Sequence, residues 1–137
     1  MPHFDSGGLR IHYRVEGRGP PLLMIHGFTS SSRTWYEMGW VEALSDQFRL
    51  LLVDCRGRGQ SEKPHNPEAY GREHLLGDCV GLLDYLGIDK ACLMGYSMGG
   101  TITLHLLFEH PNRFYSAVIG GAGDGAREWT GSQIPNS

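Results

Sequence analysis

LMGYSMGG, at residues 93–100, is the stretch that decides how this chain folds. Residues 91–94 are apolar and predict a strand, and the apolar residues 101–108 predict a helix. Between them lies a Gly-x-Ser-x-Gly pattern centred on Ser97. A strand that passes into a helix through so tight a turn strains the backbone of its serine and requires small flanking residues. We therefore expect the Ser97 hydroxyl to stand exposed at the end of a sheet, beside the positive end of the helix.

The same segment has the glycine spacing of a phosphate-binding loop, because four residues separate Gly95 from Gly100. That loop requires a lysine followed by serine or threonine, whereas Thr101 and Ile102 stand here. The sequence therefore predicts no nucleotide site. The choice between a plain turn and a nucleophilic serine depends on the rest of the chain.

The composition is typical of one globular domain without a nucleic-acid partner. The 137 residues are 40% hydrophobic and 20% charged, with a net charge of −3 and no basic stripe. Apolar runs are far shorter than the roughly 20 residues that cross a membrane. Residues 1–5 show no basic region followed by an apolar run, so we expect no secretory signal and a cytoplasmic location.

Cysteine and histidine spacing predicts neither a disulfide framework nor a metal site. Cys55, Cys79 and Cys92 form no C-x-x-C pair and are expected to be buried free thiols. His65 and His74 have no partner at a metal-ligand spacing, and no H-E-x-x-H motif occurs. We therefore expect no metal and no cofactor.

Strands and helices alternate along the chain in the manner of a doubly wound parallel sheet. A hairpin opens the chain, with strands around residues 3–4 and over 9–15. Buried strands and helices then follow in turn, with the strands at 21–25, 48–53, 91–94 and 114–119 and the helices at 34–45, 72–86 and 101–108. A capping box of Thr34 and Glu37 is expected to begin the first helix. These patterns predict one α/β domain over residues 1–123 and an irregular tail over 124–137.

Three motifs follow three successive buried strands. They are H-G-F at residues 26–28, D-x-R-G-x-G-x-S at residues 54–61 and G-Y-S-M-G-G at residues 95–100. In this order they resemble the N-terminal half of the α/β-hydrolase family, in its branch of esterases, lipases and C–C hydrolases. The resemblance spans residues 9–119. It implies a mostly parallel sheet with an N-terminal antiparallel hairpin, truncated after the sixth strand.

The resemblance also implies roles for individual residues. Ser97 corresponds to the nucleophile, and the backbone N–H groups of Met98 and Phe28 correspond to the oxyanion hole. Relatives that open epoxides or displace halide carry an aspartate in place of this serine, so those reactions are not expected. The implied reaction is acyl transfer from a small ester or related carbonyl substrate, through an acyl-enzyme that water releases. Structural residues beside the site would be Gly27, Asp54, Arg56, Gly57, Gly59, Gly95 and Gly99.

The acid and the base of the family's triad are the incomplete part of the pattern. The triad runs Ser…Asp/Glu…His along the chain, but no histidine follows Asp124. His105 lies on the same helix as Ser97, about 12 Å along it, which is too far for a hydrogen bond. Asp124 is the candidate acid and His26 the candidate base. We therefore expect a chain that has little turnover on its own.

Three interpretations remain open at this point. The chain is a serine hydrolase or a fragment of one, a non-catalytic α/β module that binds a ligand or oligomerises, or a half completed by a separate chain. Residues 114–119 would form an apolar strand at the edge of the sheet, with unpaired backbone groups. Such an edge predicts a homodimer through this strand, or aggregation.

Overall fold

Six strands form one mixed sheet within residues 2–27 and 29–120, the part of the chain that the structure, a computed structural model, describes. The strands are β1 (His3–Ser6), β2 (Leu9–Gly17), β3 (Pro21–Ile25), β4 (Arg49–Val53), β5 (Ala91–Tyr96) and β6 (Phe114–Gly120). They lie side by side in the order β1-β2-β4-β3-β5-β6. β2 pairs antiparallel with β1 and β4, and the other pairs are parallel. The predicted sheet, mostly parallel with an N-terminal antiparallel hairpin, is confirmed.

Helices cover both faces of this sheet. In the described residues they are α1 (Arg33–Glu37), α2 (Trp40–Leu44), α3 (Arg72–Leu86) and α4 (Met98–Glu109), with 3₁₀ turns at Pro67–Tyr70 and Pro111–Arg113. None of these helices combines the length and the apolar character needed to cross a bilayer. The predicted tail at 124–137 lies outside the described residues, so the division into a domain and a tail stays a prediction.

The apolar run of β3 is buried on both faces because successive side chains point in opposite directions. Leu23 and Ile25 pack into the larger core beneath α3 and α4. Leu22 and Met24 pack on the other face, against Trp35 of α1. The sequence of a strand with no solvent-exposed face is a continuous apolar run, and β3 is therefore readily predicted from its sequence.

The first predicted helix differs from the structure. In place of one helix over 34–45 there are two short helices, because Gly39 adopts a left-handed φ of 83° between them. The expected capping box is also wrong: α1 begins at Arg33, which places Thr34 inside the helix, and Ser32 makes no side-chain cap. The 3₁₀ turn at Pro67–Tyr70 is capped by Asn66, whose side chain accepts a hydrogen bond from the Glu68 N–H.

The register of the parallel strands brings three chain segments to one edge of the sheet. Ile25 at the end of β3 is level with Val53 at the end of β4 and with Gly95 near the end of β5. His26, Asp54 and Ser97 follow these strands. The three motifs found in the sequence therefore meet at the carboxyl ends of neighbouring strands, where α/β sheets commonly bind ligands.

Replacing Gly99 with alanine should lower the free energy of unfolding by about 3 kcal/mol, because its Cβ would overlap the Ile25 carbonyl oxygen at the end of β3. Gly77→Ala is the matched control. Gly77 lies inside α3 with open space around it, so alanine there should stabilise by about 0.5–1 kcal/mol. Urea unfolding of both variants measures the difference, and equal effects would contradict this account of the packing.

Self-association through β6 stays a prediction. Among the described strands β6 pairs only with β5, and its Tyr115 and Val118 side chains are exposed. Light scattering after size-exclusion chromatography should show dimers or larger species that dissociate on dilution. Val118→Lys should shift the population to monomer, because a charge on an edge strand opposes pairing. A protein that stays monomeric at every concentration would contradict the prediction of self-association.

Candidate active site

Ser97 has a backbone conformation found at no other non-glycine residue in the described chain. Its φ is 58° and its ψ is −118°, and it directly precedes α4. Its carbonyl accepts hydrogen bonds from the N–H groups of Gly100 and Thr101, at 2.9 and 3.2 Å. Such a conformation costs of order 1–3 kcal/mol and persists only where the surroundings hold it. The tight strand-to-helix turn predicted from the sequence is therefore present.

Three glycines allow the surrounding backbone to close on Ser97. A Cβ on Gly95 would overlap the Gly99 carbonyl oxygen and the Thr103 hydroxyl, and a Cβ on Gly99 would overlap the end of β3. A Cβ on Gly27 would lie 3.2 Å from the Ser97 Cβ, tighter than ordinary contact. The segment after β3 thus lies against the serine.

The two predicted oxyanion donors differ in how far the structure describes them. Met98 is the first residue of α4, and the first N–H groups of a helix have no partner within the helix. Phe28 lies outside the described residues. Beside it, the Gly27 carbonyl accepts hydrogen bonds from the Ser30 N–H, the Ser30 hydroxyl and His26 Nδ1, at 3.3, 3.2 and 2.7 Å. Three donors on one carbonyl hold the conformation of this turn.

Both ring nitrogens of His26 are engaged with backbone groups. Nδ1 donates to the Gly27 carbonyl, and Nε2 accepts from the Cys55 N–H at 3.0 Å. Burial lowers the pKa of His26, against the opposing influence of the Gly27 hydrogen bond and the Asp54 charge. The neutral ring therefore ties the end of β3 to the segment after β4. Its role as a base stays a prediction, one that requires the Cys55 hydrogen bond to open.

Asp54 organises the loop that follows β4. Its carboxylate accepts hydrogen bonds from the N–H groups of Ser32 and Gln60, at 2.7 and 3.0 Å, and from His12 Nδ1 at 2.8 Å. Burial raises the pKa of Asp54, but these hydrogen bonds outweigh burial and hold the pKa below its usual value. A Cβ on Gly59 would overlap this carboxylate, so only glycine lets the loop close around it.

A buried ion pair joins the same loop to α3. Arg56 donates from Nε and Nη2 to the two carboxylate oxygens of Asp78, each at 2.7 Å, and from Nη1 to the Ala69 carbonyl. Ser6 of β1 donates its hydroxyl to the same carboxylate at 2.6 Å. Sequence reasoning missed Asp78 and His12 as partners. The sequence did contain one indication of the role of Asp78, because this carboxylate lies within the apolar stripe of the helix predicted at 72–86.

No described side chain is hydrogen-bonded to the Ser97 hydroxyl. All seven histidines lie in the described part of the chain. His12 is paired with Asp54, His26 is held as above, and His105 is two turns further along α4. Asp124 lies outside the described residues. Within residues 2–27 and 29–120, no cluster of His, Cys, Asp or Glu is suited to holding a metal.

An apolar cavity of about 140 Å³ lies between α1 and the end of β5, and includes His26, Gly27 and Gly95 among its lining residues. The Cys55 thiol next to this region is buried, and burial raises its pKa to about 12. It therefore stays protonated at neutral pH and is not a candidate nucleophile.

The family model for the alpha/beta hydrolase fold matches residues 20–135. The chain therefore belongs to the α/β-hydrolase fold family. Epoxide hydrolase 3 of Siraitia grosvenorii is 31% identical over 115 residues, which are 83% of this chain and 36% of that protein. Haloalkane dehalogenase 2 of Mycobacterium tuberculosis is 37% identical over 119 residues, 85% of this chain and 40% of that protein.

A solved enol-lactonase from Burkholderia xenovorans is also similar, with a TM-score of 0.79 and 35% identity. The match covers 85% of this chain and 45% of the lactonase. The chain thus spans between a third and a half of the length of these relatives. Two of these three relatives are named for reactions other than ester cleavage. The comparisons therefore support a hydrolase of this family, but they do not support its esterase branch specifically.

Lowering the pH from about 7.5 to 5.5 should destabilise the protein through His26. Since burial lowers the pKa of His26 in the folded state, the unfolded state takes up its proton first, and stability falls as the pH drops below about 6.5. The loss at pH 5.5 should reach at most about 1.4 kcal/mol. Urea unfolding at both pH values measures it.

His26→Asn should flatten this pH dependence, whereas His74→Asn, at an exposed position on α3, should preserve it. An unchanged slope in His26→Asn would show that another group titrates.

Proposed function

We propose that this chain carries the nucleophile and the oxyanion-binding backbone of a serine hydrolase that acts on small esters or lactones. The observation that carries the proposal is the strained conformation of Ser97 at the start of α4, enclosed by Gly27, Gly95 and Gly99. Strained backbone is typical of functional sites, where the surrounding structure holds one residue in a fixed position at a cost in folding stability.

The reaction would proceed in two steps. The Ser97 oxygen attacks the substrate's carbonyl carbon and gives its proton to a base, and the carbonyl oxygen becomes negatively charged. The N–H of Met98, at the positive end of α4, and the N–H of Phe28 would stabilise that charge. Collapse of the intermediate breaks the bond to the alcohol oxygen, which takes the proton from the base, and leaves an acyl-serine. Water then attacks the acyl carbon and gives a proton to the base, the acid is released, and the base returns the proton to Ser97.

Ser97 favours acyl transfer over the reactions in the names of two relatives. Epoxide opening and halide displacement in this family use an aspartate, whose carboxylate attacks an alkyl carbon. A serine hydroxyl is suited instead to a carbonyl carbon. The enol-lactonase, a similar protein, is named for a substrate that contains such a carbonyl, because a lactone is a cyclic ester.

The described residues offer least for the base and the acid of the triad. His26 remains the candidate base and Asp124 the candidate acid, and the His26 ring is held by two backbone hydrogen bonds. Removing the histidine from a comparable serine protease slows turnover by about 10⁶. We therefore propose slow turnover by this chain alone, and restoration of the rate by a segment or a separate chain that supplies a histidine. The cytoplasmic location and the 1–123 domain likewise remain proposals.

Intact-mass analysis after treatment with a fluorophosphonate, which modifies activated serines, tests the nucleophile. We expect slow addition of one label, abolished by Ser97→Ala and retained in Ser116→Ala, a control that removes a hydroxyl from β6. Folded protein that takes no label at Ser97 would contradict the proposal and favour a non-catalytic ligand-binding module.

Substrate class is tested with 4-nitrophenyl butyrate, styrene oxide and a bromoalkane under the same conditions. We expect slow ester cleavage that Ser97→Ala abolishes, and no reaction with the epoxide or the haloalkane. Epoxide opening or bromide release that depends on Ser97 would overturn the assignment to acyl transfer.

A further inference from the structure

The apolar cavity of about 140 Å³ lies on the face of the sheet that α1 and α2 cover. Its walls include Trp35 of α1, Trp40 of α2, and Met94 and Tyr96 of β5. Met94 also packs against the core cluster that Trp35 forms with β3 and β4. Aromatic and thioether side chains therefore make up much of the wall, and such a surface favours an apolar ligand.

One wall of this cavity reaches the proposed nucleophile. Gly27 and Tyr96 both line the cavity. A Cβ on Gly27 would lie 3.2 Å from the Ser97 Cβ and 3.4 Å from Cδ2 of Tyr96. The part of the wall that Gly27 forms thus lies beside the Ser97 side chain. A group bound in the cavity is therefore close enough to be joined to a carbonyl that Ser97 attacks.

The lack of a side chain at Gly120 helps to keep this cavity open. Gly120 lines the cavity and is the partner of Tyr96 in the parallel pair of β5 and β6. Because side chains alternate along a strand, a side chain at 120 would share its face with Val118. Val118 and Met94 line a neighbouring apolar cavity on that same face. A side chain at 120 would therefore project on the cavity side of the sheet.

Gly120 differs from the other glycines around Ser97 because packing does not require it. No atom of the described residues lies within 4 Å of the position that its Cβ would take. Its φ is also outside the left-handed range that favours glycine. Gly27, Gly95 and Gly99, by contrast, each lie against a neighbour that leaves little or no room for a Cβ. The absence of a side chain at 120 is therefore better explained by the open cavity than by the fold.

We propose that this cavity binds the acyl chain of the substrate and that Gly120 sets the length of chain it accepts. This inference rests on the proposed function and names its substrate class, esters of short apolar acids. An engineered apolar cavity of about 150 Å³ in another protein takes up benzene, a molecule of six carbons. A cavity of about 140 Å³ should therefore accept an acyl chain of up to about six carbons.

Binding in a Ser97→Ala background tests the proposal without turnover. NMR titration compares the ethyl esters of acetic, butyric, hexanoic and octanoic acid. The dissociation constant should fall roughly fourfold for each methylene group that the cavity buries. The gain should end near the hexanoate ester, because the additional carbons of the octanoate ester would remain in solvent.

Adding Gly120→Leu should remove the dependence on chain length, because the leucine side chain would occupy the cavity. Gly77→Leu is the matched control. Gly77 also has open space around it, but it lies on α3, which covers the opposite face of the sheet. The control should preserve the dependence. Gly120→Ala fills less of the cavity and serves as the test if Gly120→Leu does not fold; it should weaken binding of the hexanoate ester several-fold more than binding of the acetate ester.

Three results would overturn the proposal: affinity that is independent of chain length, affinity that rises as steeply from hexanoate to octanoate as from acetate to hexanoate, or a dependence that survives Gly120→Leu. Binding too weak to detect for all four esters would also overturn it, as would an equal loss in Gly77→Leu. Failure of the proposed function is distinguishable, because it would appear as absent fluorophosphonate labelling of Ser97 while the chain-length dependence of binding persisted.

Discussion

The contact between the first turn of α4 and the end of β3 is the constraint on which the rest of the site depends. At Gly99 the helix approaches the Ile25 carbonyl so closely that a methyl group has no room. This approach leaves only a sharp turn between β5 and α4, and Ser97 takes up the strain of that turn at a φ of 58°. The close approach of α4 to β3 therefore sets both the position of the Ser97 hydroxyl and the position of the first N–H groups of α4.

A second layer of contacts holds the neighbouring loops against this turn. The Asp54 carboxylate accepts hydrogen bonds from the N–H groups of two loops and from the His12 ring. The His26 ring links the end of β3 to the segment after β4. These groups are buried and use their polar atoms on one another. They stabilise the segments around Ser97, whereas Ser97 itself is only half-buried.

The sequence predicted the parts of this structure that depend on local pattern. Apolar runs located β3 to β6, and the three motifs that follow β3, β4 and β5 indicated the family. The break at Gly39 was missed because the apolar residues around it fit one continuous helix. The partners His12 and Asp78 were missed because each acts across the fold, 42 residues from Asp54 and 22 residues from Arg56. Whether a histidine serves Ser97 depends on such distant contacts as well.

The backbone at residue 97 also limits which amino acids evolution could place there. Positive φ is strained for a residue with a Cβ, and most of all for a β-branched or bulky one. For the nucleophile proposed above, an exchange of serine for aspartate would change the attacking group at the same point of the turn. The turn would then set where the attacking group stands, and the side chain at residue 97 would set its chemistry.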